Sequence, residues 1–131
     1  MGFLNGLFND KGRDKKNTEN KTDWIDLSSQ DQLKEIVENS YDRMQIIFKH
    51  STSCGISSMV LRSFKASFNL EPDKAQLYYL DLRRYRDISN EIANKFQVAH
   101  ESPQVLVIRN GDVVEHDSHS DINRLQFNQF I

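Results

Sequence analysis

Phe48-Lys49-His50-Ser51-Thr52-Ser53-Cys54-Gly55-Ile56-Ser57 is the stretch that decides the fold of this chain. It closes a short apolar, β-branched run, Met44 to Lys49, of the kind expected for a strand buried on both faces. It opens a second pattern in which Ile56, Met59, Val60, Phe64 and Phe68 recur at spacings of three and four, as on one face of a helix. Cys54 falls at the junction, at the start of that helix. The first backbone N–H groups of a helix have no internal partner, and its dipole places partial positive charge there. Both favour the thiolate, which is the nucleophilic form of cysteine. The alternative is an inert buried thiol. Against it stand the neighbours His50, Ser51, Thr52, Ser53 and Gly55, a polar loop and not an apolar stripe. Gly55 lets a substrate or another backbone approach closely. Ser57 stands where a dithiol enzyme carries its resolving cysteine. A serine there can donate a hydrogen bond to the thiolate but closes no disulfide.

Working outward, Trp24 to Leu27 predicts a short strand. Ser28 or Ser29 caps a helix carrying Leu33, Ile36, Val37 and Tyr41. Glu71-Pro72-Asp73 is a turn, and Ala75 to Leu82 a third strand that includes Tyr78 and Tyr79. Ile88, Ile92 and Phe96 mark a third helix, with Arg83, Arg84 and Arg86 as its solvated start. Val105 to Ile108 is a fourth strand. Asn110-Gly111 is a strong hairpin signal and leads to a fifth strand, Val113 to His116. Ser120 or Asp121 caps a closing helix through Ile122, Leu125 and Phe130. The order β-α-β-α-β-α-β-β-α, with right-handed crossovers first and a hairpin last, predicts a three-layer α/β/α sandwich around a mixed central sheet.

Composition narrows the function. The chain has 131 residues, 17 Lys plus Arg, 19 Asp plus Glu, and a net charge of −2. That balance argues against nucleic acid as a partner. The longest unbroken apolar run, Val105 to Ile108, is far short of the roughly 20 residues that span a membrane. Residues 10–22 carry no apolar side chain, so 1–22 reads as a flexible polar tail and 23–131 as the folded domain. Within the tail, Phe3, Leu4, Leu7 and Phe8 form at most one amphipathic turn. One cysteine makes no internal disulfide, no Cys-x-x-Cys pair and no cysteine-rich zinc site. The four histidines show no ligand spacing beside Cys54, so no bound metal or cofactor is expected. A reduced thiol fits a cytoplasmic protein.

Pro103 directly precedes the fourth strand, where it removes a ladder donor. Either it is a trans proline that starts the strand, or the Ser102–Pro103 bond is cis, leaving backbone free to pair with an extended substrate.

With Cys54 after one strand and Pro103 before another, the arrangement resembles the thioredoxin fold. The strings Phe48 to Ser57 and His100-Glu101-Ser102-Pro103-Gln104-Val105 resemble the YtxJ-like monothiol bacilliredoxins, from about Trp24 to the C-terminus. The resemblance implies a cytoplasmic protein of the bacillithiol system, with Cys54 as nucleophile and Pro103 as the cis proline. Many relatives carry proline where this chain has Gly55. The implied activity is removal of bacillithiol from protein mixed disulfides, with bacillithiol as co-substrate. Bacillithiolated proteins and a regenerating low-molecular-weight thiol are then the partners. Thr52, Ser53, Gly55, Ser57, Ser102, Pro103 and His50 would stabilise the thiol or bind substrate. His50 is either a cation beside the thiol, a contact to bacillithiol, or a solvated loop residue. Cys54-Gly55-Ile56-Ser57 is also similar to the Cys-Gly-Phe-Ser of monothiol glutaredoxins. That likeness keeps a [2Fe–2S] carrier open as an alternative, beside a non-catalytic adaptor that binds peptides near Pro103.

Overall fold

In the computed structural model of the protein, residues 23–131 are described, and the tail read at 1–22 lies outside them. The apolar runs become strands: Trp24–Asp26 (β1), Met44–His50 (β2), Ala75–Asp81 (β3), Gln104–Arg109 (β4) and Asp112–Ser118 (β5). The runs with helical spacing become Asp31–Asn39 (α1), Gly55–Ser67 (α2) and Arg86–Phe96 (α3). All five strands join one sheet in the order β1-β3-β2-β4-β5. β1 and β2 run parallel to β3, while β4 is antiparallel to both β2 and β5. The mixed sheet and the α/β/α layering are as expected.

Period-2 alternation explains the layers. Every residue of the central strand β2 is buried. Its Met44, Ile46 and Phe48 join Val60 and Phe64 of α2 on one face. Ile47 joins Leu33 and Ile36 of α1, and Ile88 and Ile92 of α3, on the other. A strand covered on both sides has no polar face, which is why its sequence reads as a continuous run.

Three expectations are corrected. The closing α-helix is instead two 3₁₀ turns, His119–Arg124 and Phe127–Phe130. Ile122 is the one fully buried residue of these turns. Leu125 and Gln126 between the turns have extended backbone, and Leu125, Phe127 and Phe130 pack against the core from that broken path. Neither Ser28 nor Ser29 caps α1. Gln30 holds the cap position without a side-chain bond. Gln32 Oε1 instead accepts the N–H groups of Ser28 and Ser29 at 2.8 and 3.0 Å, so a side chain of the first helical turn fixes the segment that leads into it. Tyr41 lies beyond the end of α1 and is 61% exposed.

The β4–β5 hairpin turns at Asn110 and Gly111, both with positive φ (55° and 86°), the pattern of a type I′ turn. Gly111 N–H donates to Ser40 Oγ at 2.9 Å. A Cβ at Gly111 would stand 2.6 Å from Tyr41 Oη. The tyrosine tip can swing away, but the backbone strain stays. Gly111→Ala is therefore expected to cost about 1–2 kcal/mol, read as a lower urea midpoint with an unchanged slope.

Candidate active site

β2 delivers Cys54 through one tight loop. Cys54 N–H donates to Ser51 O at 3.1 Å, and Cys54 then adopts extended backbone (φ −108°, ψ 120°) as the N-cap of the 13-residue helix α2. The cap position places its side chain at the end of the helix where free N–H groups and the dipole favour an anion. Cys54 is half-buried. Around it Thr52, Ser53, Gly55 and Ile56 are exposed, and Ser53 Oγ lies 3.4 Å from Ser51 Oγ. A Cβ added at Gly55 would meet nothing within 4 Å. Crowding inside the protein therefore does not demand this glycine; the space beside it is open to an incoming molecule.

Ser57 is fully buried, and its Oγ lies 2.7 Å from His50 Nδ1. The same oxygen accepts the Ser51 N–H at 3.2 Å. Ser57 thus ties the first turn of α2 to the end of β2 and to the loop that carries the thiol. His50 is neither a solvated loop residue nor a cation. It is 4% exposed, at the end of β2, with its ring against Tyr79 at a centroid distance of 5.6 Å. Burial pushes its pKa down; Asp81 opposes and Lys65 adds to that shift. At neutral pH it is an uncharged hydrogen-bond partner.

The second half of the site comes from the segment before β4. The Ser102–Pro103 bond is cis, the second of the two options left open by the sequence. Pro103 is buried, and its carbonyl accepts His119 N–H at 2.9 Å. Ser102 Oγ is buried without a hydrogen-bond partner among the described residues. β2 and β4 are adjacent and antiparallel, with Lys49 opposite Gln104. The end of β2 and the start of β4 therefore lie side by side, which brings the Cys54 loop and the Pro103 loop together at one end of the central strands.

Gln104, Lys49 and Ser89 escaped the sequence reading, whereas Glu101 was read as a neighbour of the proline loop. Gln104 is buried, donates from Nε2 to Ala99 O at 2.9 Å and accepts Glu101 N–H at 3.4 Å. It stiffens the loop from within. Glu101 is held from outside by a hydrogen bond from Ser118 Oγ. Lys49 and Ser89 are fully buried. A lysine inside a strand run read as buried on both faces was the available signal. Ile56 and Met59, expected on the packed face of α2, are 64% and 62% exposed instead. They place apolar surface beside the thiol. His116 and His119 are exposed on or after β5. Among the described residues no cluster of three or more metal-ligating side chains occurs. No helix among them is long and apolar enough to cross a membrane.

Solved structures share this architecture. One, described as a candidate oxidoreductase with a thioredoxin fold, is 36% identical over 82% of this chain and 92% of its own, with a TM-score of 0.69. Thioredoxin from Malassezia sympodialis is 23% identical over 82% of this chain and 89% of its own, at a TM-score of 0.64. Thioredoxin O2 from Arabidopsis thaliana is 16% identical over 83% and 95%, at 0.65. The two thioredoxins speak for the fold alone. The sequence profile of a family described as monothiol bacilliredoxin BrxC matches residues 25–127. That span includes both the single thiol and the proline loop, and it identifies the chain as a member of the monothiol bacilliredoxin family, with a thioredoxin fold and a redox thiol.

Proposed function

We propose that this protein removes bacillithiol from protein mixed disulfides by thiol-disulfide exchange at Cys54. The observation that carries the reading is one half-exposed thiol at the N-cap of α2, with a buried serine three residues on. The Cys54 thiolate attacks the bacillithiol sulfur of the mixed disulfide. A new S–S bond forms to Cys54 and the old one breaks. The target protein leaves as a thiolate and takes a proton from water. A second low-molecular-weight thiol then attacks the bacillithiol sulfur on Cys54 and regenerates the enzyme. Ser57 offers no sulfur for an internal disulfide, so the step depends on an outside thiol. The open surface around Thr52, Ser53, Gly55 and Ile56 suits a protein-sized substrate better than a small molecule in an enclosed pocket. The reaction belongs to a reducing compartment, the cytoplasm.

Intact-mass spectrometry tests this. Incubation with a bacillithiolated target should move one bacillithiol mass from the target to Cys54. In Ser57→Cys the adduct should vanish in favour of an internal disulfide between Cys54 and the introduced thiol, with the mass lowered by a pair of hydrogens against the reduced variant. A target that keeps its adduct in the presence of the wild-type protein sinks the reading.

A further inference from the structure

Lys49 is 0% exposed, and nothing in thiol exchange at Cys54 calls for a buried amine. Burying an ammonium costs several kcal/mol unless it is well partnered. Its partners here are a carbonyl and an imidazole. Nζ lies 3.5 Å from Ser89 O of α3 and 3.3 Å from His100 Nδ1. Ser89 Oγ lies 3.1 Å from the same His100 nitrogen. His100 stands three residues before Pro103 and is an exposed residue, so it joins a buried cluster to the surface of the proline loop. The backbone of Lys49, meanwhile, pairs with Gln104 and leads through His50 into the Cys54 loop. One residue therefore holds one half of the site by its main chain and the other by its side chain.

We propose that Lys49 is a positioning residue for thiol exchange: with Ser89 it grips His100 Nδ1 and so sets the loop 99–103 against the Cys54 loop. This rests on the exchange reading above. The chemistry fixes the state of His100. Lys49 has only donors to offer, so Nδ1 must accept. His100 is then neutral with its proton on Nε2. Burial, Lys49 and Arg86 all push the His100 pKa down, and Glu101 opposes them. Burial brings Lys49 itself from 10.5 to about 8. The groups that face this pair are Ser89 and Arg86 from α3 and Glu101 from the loop. Below about pH 8 the ammonium holds the grip; above it the charge is lost and the grip weakens.

Lys49→Met, similar in length and uncharged, is the test. The variant should fold with a melting temperature no lower than wild type, since a buried charge is replaced by an apolar chain. Iodoacetamide should alkylate its Cys54 at the wild-type rate. Its KM for a bacillithiolated protein should rise about tenfold. The wild-type kcat/KM should decline above about pH 8, and the variant should lack that decline. Imidazole 15N NMR at pH 7, without substrate, should show the Nε2–H tautomer of His100 in wild type and a tautomer mixture in the variant. An unchanged tautomer, an unchanged alkaline decline, or slower alkylation each overturns the positioning role. A wild-type protein that leaves the mixed disulfide intact overturns the exchange reading instead, and the NMR comparison then decides the proposal alone.

Discussion

Cys54→Ser is expected to abolish bacillithiol release while leaving the fold in place. A hydroxyl does not ionise near neutral pH, so the nucleophile disappears and no second sulfur replaces it. The loss should be at least ~10³-fold in rate, which corresponds to about 4 kcal/mol of barrier. Stability should hold within about 0.5 kcal/mol, because Cys54 is half-buried in an open loop and the change is nearly isosteric. Bacillithiol release by chromatography and urea unfolding of the same preparation check the two halves. Retained release in the serine variant would remove Cys54 from the mechanism altogether.

Phe64→Ala should produce the largest loss of stability. Phe64 is 2% exposed and lies at the centre of an aromatic cluster. Its ring centroid lies 5.3 Å from Phe48, 5.4 Å from Phe68, 5.8 Å from Phe127 and 5.9 Å from Trp24. These contacts join α2 to β1, to β2 and to the second C-terminal turn. Truncation removes the ring and leaves a cavity that four separate segments cannot close together. The expected cost is about 3–5 kcal/mol, with a further share from the lost edge-to-face pairs. Urea denaturation measures it. Phe64→Leu, which keeps most of the volume, should lose markedly less. Because α2 carries the thiol at its N-cap, exchange in Phe64→Ala should fail at temperatures well below those tolerated by wild type.

The central strands and the long helices were legible because each buries a face, and burial writes its period into the sequence. β2 was read as doubly covered from its apolar run, and all seven of its residues are buried. The C-terminal segment misled because Ile122, Leu125 and Phe130 keep helical spacing, but the backbone follows tertiary contact, and Ile122 alone is fully buried there. At the site, Cys54 and Pro103 were visible as single residues whose types have few uses. His50 was not, because histidine serves equally as cation, ligand or buried neutral partner. Only its distance to Ser57 and its burial decide among these. The Lys49–Ser89–His100 cluster joins β2 to α3 and the loop after it, 40 and 51 residues along the chain. No local pattern announces such a meeting.

The sheet order has a consequence for company as well as for chemistry. Its two rims are β1 and β5. A bare strand edge is a template for other chains. β1 offers only three residues, too few to seed a lasting pairing. β5 carries Asp112, Glu115 and Asp117, and the β4–β5 ladder is interrupted between Val107 and Ile108. Charge and irregularity make that rim a poor match for an incoming strand. Neither rim therefore invites a second copy of the sheet to extend it, and the sheet ends with this chain's own five strands.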